Sequence, residues 1–206
     1  MDDFQRFSDA DIKSVVFAFR DALRTYSDVL NALNVYPVPD GDTGTNMSLT
    51  LVSVTDEIEK SGAGGSSQWA AISHGSLMGA RGNSGVILSQ ILRSLSDSFA
   101  AAKEIDATAI SEALNDAAQA AYGSVMKPVE GTILTVAREV AESALELAKE
   151  DISMVTFLES IVSEGIASLE RTPDLLPVLK EAGVVDAGGA GYVLLLSSFL
   201  HIVDGR

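Results

Sequence analysis

Two carboxylates one residue apart, Asp40 and Asp42, lie in the stretch Asn34-Val35-Tyr36-Pro37-Val38-Pro39-Asp40-Gly41-Asp42-Thr43-Gly44-Thr45-Asn46-Met47. Pro37 and Pro39 fix their own φ and push the preceding residues toward extended backbone. Thr43, Thr45 and Asn46 are hydrogen-bonding residues suited to the first turn of a helix, which Met47 to Val52 would continue. Hard oxygen ligands beside a helix N-terminus make a site for a magnesium-bound polyphosphate. A solvated Asp-Gly turn is the competing reading of the same pair. An EF-hand is excluded: counted from Asp40, positions five, six and twelve would be Gly44, Thr45 and Leu51, so the glycine bend and the bidentate glutamate are both missing. Magnesium needs only one or two carboxylates when substrate phosphates supply further oxygens.

Three more glycine-bearing turns could serve the same chemistry. Gly79 to Ser89 lacks the Gly-Lys-Ser/Thr of a P-loop, yet it opens a helix with Asn83 and Ser84 able to donate to phosphate and Arg81 nearby. It reads equally as a helix–helix turn in which Gly79 caps one helix and Ser84 the next. Lys127-Pro128-Val129-Glu130-Gly131-Thr132 is a proline-shaped helix start with a polar rim. Gly183 to Gly191 permits close backbone approach to a ligand or a helix but has no dinucleotide fingerprint. His74 and His201 read as packed or surface residues, and Trp69 and the methionines as core.

Hydrophobic periodicity places these turns between helices. Ile12, Val15, Val16, Phe19, Leu23, Tyr26, Leu30 and Leu33 recur at spacings of three and four, predicting a helix over 8–32 with Ser8 or Asp9 as N-cap. Further helices are expected over 45–59, 67–78, about 85–102, 107–125 and 132–150. Leu158 to Leu169 marks another, Pro173 and Pro177 punctuate a short segment, and an apolar helix spans 190–203. No stretch alternates as a strand, and no repeat is evident. The expected fold is all-α: one domain over 1–206, an antiparallel barrel or bundle of about eight helices. The turns must then converge at one end.

The composition restricts the ligand. With 206 residues and 47% hydrophobic content the chain can bury a proper core, and without cysteine it has neither disulfides nor thiolate metal sites. No run reaches the ~18–20 uninterrupted apolar residues of a membrane span, and the first residues are not a signal peptide, so a cytoplasmic protein without membrane insertion is expected. A formal charge of −15 argues against nucleic acid and anionic lipid as partners. A polyphosphate could be held only through divalent metal, backbone N–H groups and a few placed cations.

Taken together, residues 34–47, Met78-Gly79-Ala80-Arg81-Gly82-Asn83-Ser84-Gly85-Val86-Ile87-Leu88-Ser89-Gln90, Met126 to Ala137 and Gly183-Val184-Val185-Asp186-Ala187-Gly188-Gly189 resemble the N-terminal ATP-binding domain of bacterial fatty acid kinase, itself related to the nucleotide-binding subunit of dihydroxyacetone kinase. The resemblance runs in order over essentially the whole chain and implies an eight-helix antiparallel barrel binding ATP at one end. It implies that Asp40 and Asp42 are catalytic and hold two Mg²⁺ ions, with Asn34 as a further ligand. Thr43, Thr45, Asn46, Asn83, Ser84 and Gly85 would line the phosphates, and Gly131, Thr132, Asp186 and Gly188 the rest of the nucleotide wall. The dihydroxyacetone kinase relative carries a third aspartate before the pair and a histidine after it; the counterparts here are Asn34 and Thr43, which points to the fatty acid kinase branch.

The reaction implied is phosphoryl transfer from ATP to a fatty acid carboxylate, giving an acyl phosphate for phospholipid synthesis. A carboxylic acid of pKa ~4–5 is already ionised at neutral pH, so no general base is required. The implied partner is a DegV-type fatty-acid-binding protein, engaged through domains outside this chain, and a homodimer is compatible with the sequence. The apolar last helix and the end at Arg206 fit a domain cut from a longer multidomain protein, inactive on its own. A dihydroxyacetone-type small-molecule kinase and a non-catalytic nucleotide sensor are the alternatives.

Overall fold

Ser8 begins the first helix by a reciprocal cap: its hydroxyl accepts from the Asp11 N–H while the Asp11 carboxylate accepts from the Ser8 N–H. This helix, α1 (Asp9–Leu33), buries Ile12, Val15, Val16, Phe19, Leu23 and Leu30, the stripe its spacing predicts, and leaves Tyr26 at its surface. The computed structural model describes residues 4–62 and 65–205. Eight more helices follow: α2 (Thr43–Lys60), α3 (Ser66–Gly79), α4 (Gly82–Ala101), α5 (Ala107–Gly123), α6 (Ile133–Leu147), α7 (Met154–Leu175), α8 (Pro177–Ala182) and α9 (Ala187–Asp204). Among the described residues the remaining ladder structure is one isolated bridge, Phe7 to Ile105. The protein is all-α.

Each long helix packs on the next, α7 packs on α9, and α9 closes onto α1. Eight long helices therefore form a closed ring, and six-residue α8 rides on α7. The interior is one apolar cluster, with Phe19, Leu23, Met47, Leu51, Leu88, Leu114, Phe157 and Tyr192 fully buried. α9 has the length and hydropathy of a membrane span, but 56% of that stretch is buried inside the bundle, which is how a helix apolar on all sides is used in a core.

Several boundaries differ from the periodicity. α7 runs through Pro173 to Leu175 instead of stopping there. Proline removes the N–H that would reach the Leu169 carbonyl, and the Thr172 hydroxyl donates to that carbonyl in its place, at 2.7 Å. α9 starts at Ala187, so Gly188 and Gly189 lie inside the helix and not in a turn. Their smallness is used for packing: a Cβ on Gly188 would lie 3.3 Å from Ile133 Cβ, and one on Gly189 3.0 Å from Val136 Cγ2. Met78 and Met126 are exposed, at 67% and 97%, and not core; Met126 sits in the loop after α5.

α1 and α2 approach closely at Gly44. A Cβ there would overlap the Ser27 carbonyl oxygen and lie 2.9 Å from Leu30 Cβ, so the helices meet backbone to side chain only because position 44 has no side chain. The residues flanking this crossing form the site.

Candidate functional site

The helices alternate in direction around the ring, so α2, α4, α6 and α9 all begin at the same end. Their first residues line one cavity of about 600 Å³: Asp42 and Thr43 at α2, Gly82, Asn83 and Ser84 at α4, Thr132, Ile133 and Leu134 at α6, Asp186 and Gly188 at α9. Helix N-termini carry partial positive charge and free N–H donors. α4 is the open one. It starts on Arg81 with no side-chain cap, leaving the N–H groups of its glycine-rich first turn at the cavity.

α9 and α6 are already tied to each other. Asp186 caps α9 by accepting from Gly189 N at 2.7 Å, and the nearby Gly188 and Ile133 N–H groups also favour its charged form. The Asp186 N–H in turn donates to Thr172 Oγ1 at 3.1 Å, joining α7 to the same corner. Burial pushes the Asp186 carboxyl up to about 6, because the desolvation of the charged form outweighs those three donors.

The acidic loop supplies the opposite chemistry. Asn34, 7% exposed, donates from Nδ2 to the Val38 carbonyl and to Asp40 Oδ1, both at 3.2 Å. Its Oδ1 is buried with no hydrogen-bond partner. A buried carbonyl oxygen left unpaired is costly, and Asn34 is one of the residues lining the cavity together with Asp40 and Asp42. The Asp42 carboxylate makes no cap bond to α2. Two carboxylates and an orphan carboxamide oxygen form a hard, oxygen-only donor set that fits Mg²⁺, provided that a ligand's own oxygens complete the coordination. Among the described residues no cluster of three or more His, Cys, Asp or Glu side chains could hold a metal by itself.

The cavity's other wall is apolar: Tyr36, Pro37 and Val38 from the acidic loop, Val86 and Ile87 from α4, and Val125, Met126 and Val129 from the loop after α5. That loop is braced from outside. Glu130 accepts from Tyr122 at 2.8 Å, Thr135 at 2.6 Å and Arg138 at 3.1 Å, and these bonds outweigh its burial and hold its carboxyl below the usual range. Gly131 follows at φ +80°, a backbone conformation that favours glycine. A Cβ there would also lie 2.9 Å from the Thr172 carbonyl.

Of the residues singled out in the sequence, Asn34, Asp40, Asp42, Thr43, Asn83, Ser84, Thr132, Asp186 and Gly188 share the cavity. Thr45, Asn46, Gly85 and Gly131 stand behind it. Thr45 exchanges two hydrogen bonds with Asn31, Gly85 packs on Thr50 Oγ1, and Asn46 lies against Gly82. Lys127 lines the cavity, whereas Arg81 is exposed outside it. The apolar wall and Asn31 went unnoticed in the sequence. Valine and methionine in a loop carry no chemical signature, and an asparagine near a helix end reads as an ordinary terminus.

Known proteins resemble the chain as follows. The DAK2 domain profile matches residues 37–201. Protein YloV of Bacillus subtilis is 46% identical over 193 residues, 93% of this chain and 35% of YloV. Uncharacterized proteins of Staphylococcus saprophyticus and Staphylococcus aureus are 47% and 46% identical over 185 residues, 89% of this chain and 34% of each relative. The chain thus spans about a third of the length of these relatives.

Proposed function

This chain belongs to the DAK2 domain family, whose members are parts of kinase systems, and from that premise we propose that it binds Mg·ATP and donates the terminal phosphoryl group to a fatty acid carboxylate. The observation that carries the reading is the joining, in one cavity, of the uncapped α4 start with Asn34, Asp40 and Asp42. Neither half would hold ATP against a chain charge of −15; together they suit a polyanion that arrives with its own cation. Asn34, Asp40 and Asp42 would hold Mg²⁺, which when bound neutralises phosphate charge.

The chain's own groups do the rest. N–H groups of Asn83 and Ser84 hold phosphate oxygens, with the Thr43 and Thr132 hydroxyls at the same wall, and Lys127 adds a positive charge. The apolar side chains of Tyr36, Pro37, Val38 and Met126 at the cavity suit the faces of a nucleobase. Alignment and charge stabilisation are the main demands of phosphoryl transfer. No histidine lines the cavity, which supports an acceptor already ionised at neutral pH over a sugar-like hydroxyl. The product would be an acyl phosphate. Delivery of the acid by a lipid-binding partner protein, through segments present in the threefold longer relatives, and a cytoplasmic location belong to the same proposal.

Calorimetric titration with Mg·ATP tests the site. Binding that weakens at least tenfold in Asp40→Asn is expected; no binding, or binding indifferent to that change, overturns the reading. Turnover with a carrier-bound fatty acid and with dihydroxyacetone, measured on the full-length protein, tests the acceptor. Phosphorylation of dihydroxyacetone alone would reassign it.

A further inference from the structure

Five helices begin on a Ser, Thr or Asp that caps with its own side chain: Ser8, Asp106, Thr132, Ser153 and Asp186, each with an extended backbone at ψ between 124° and 180° in magnitude. α2 begins on Asp42, a residue type suited to the same task, and differs. Asp42 has φ −120° and ψ 0° and makes no side-chain cap bond. The N–H that an N-cap side chain would ordinarily satisfy, three residues on, is that of Thr45. It donates instead to Asn31 Oδ1 at 3.1 Å, and Asn31 Nδ2 returns a bond to Thr45 Oγ1 at 3.0 Å. Asn31 reaches across from α1, which the bare backbone at Gly44 allows to lie close.

We propose that Asn31 is a positioning residue: it caps α2 in place of Asp42 and so leaves the Asp42 carboxylate free for the cation. A helix start left with an unsatisfied N–H relaxes toward the side chain that can satisfy it, and the nearest is Asp42 itself. Without Asn31, Asp42 turns to extended backbone, its carboxylate swings onto the Thr45 N–H, and the cavity loses one of its two charged ligands. The inference rests on the cation reading proposed above.

Mn²⁺ binding in the presence of a non-hydrolysable ATP analogue, followed by electron paramagnetic resonance, separates the two. Asn31→Ala is expected to weaken Mn²⁺ about tenfold, as loss of a ligand's supporting partner does elsewhere. In an Asp42→Asn background the same change should matter by less than about twofold, since the two act as one unit. Asn31→Asp keeps an acceptor for Thr45 and should retain binding. A crystal structure of metal-free Asn31→Ala should place the Asp42 carboxylate on Thr45 N. If the unaltered protein binds no Mn²⁺, the cation reading falls and this inference with it. If it binds and Asn31→Ala binds equally, or the loss is the same in both backgrounds, only the role of Asn31 is refuted. Should Asn31→Ala fail to fold, Asn31→Ser, whose hydroxyl stops short of Thr45, is read by the same criteria.

Discussion

Gly44→Ala is the sharpest test of how the site end is assembled. The added Cβ would sit 2.8 Å from the Ser27 carbonyl carbon and 2.9 Å from Leu30 Cβ, where ordinary contact begins at 3.4 Å. Ser27 contributes backbone and cannot swing aside, so α1 and α2 must part by roughly 1 Å, an overpacking that costs about 1–3 kcal/mol. The same movement stretches both Asn31–Thr45 bonds, now 3.0 and 3.1 Å, past useful hydrogen-bonding distance, at about 1 kcal/mol each. Alanine's better helix propensity returns about 1 kcal/mol. The net expectation is a loss of about 2–4 kcal/mol in urea unfolding. Gly123→Ala is the control: it also lies in a helix, but nothing stands within 4 Å of its Cβ, so it should be neutral or gain up to about 1 kcal/mol. If Gly44→Ala matches Gly123→Ala, the close approach of α1 and α2 is not real.

Two further changes probe the α6–α7–α9 corner. Asp186, raised to about 6 from 3.8 by burial, favours the protonated fold, so its stabilising contribution is complete below about pH 4 and lost as pH rises through 6. Roughly two units correspond to about 3 kcal/mol; unfolding of the metal- and nucleotide-free protein should lose that much relative to Asp186→Asn between pH 4 and 7, and parallel curves would refute the burial argument. Thr172→Val removes the hydroxyl that both donates to Leu169 and accepts from Asp186 N–H. It strands a buried N–H and a part-buried carbonyl and should lower stability by about 2–4 kcal/mol in the same assay, whereas an unchanged midpoint would mean that water replaces the hydroxyl.

Much of this architecture was legible because apolar spacing and punctuation agree. Ile12 to Leu30 repeat at helical intervals and land inside, and the turns at 34–42, 79–82 and 183–186 do converge. What escaped the pattern was set by tertiary contacts. Pro173 reads as a stop until the neighbouring Thr172 hydroxyl is seen to replace the missing N–H. Gly188 and Gly189 read as a turn because spacing cannot tell a glycine needed for φ from one needed for closeness. That Asn34, Asp40 and Asp42 line one cavity follows from their closeness in sequence, but the Asn31–Thr45 pairing was not legible, since it depends on where a second helix lies. Thr45 illustrates the limit: its type suits a phosphate, and its neighbour had already claimed it.

The closure of α9 onto α1 also orders events in time during synthesis. Asp186 and Gly188 complete a wall whose other residues begin at Asn34, so about 150 residues must leave the ribosome between the first and last parts of the cavity. Until then α1 lacks one flanking helix, and Phe19 and Leu23 lack part of their cover. On the proposed Mg·ATP reading, the nascent chain would therefore not take up nucleotide partway through translation. Binding competence should arrive in a single late step, and a chain truncated before α9 should bind nothing however well its earlier helices form.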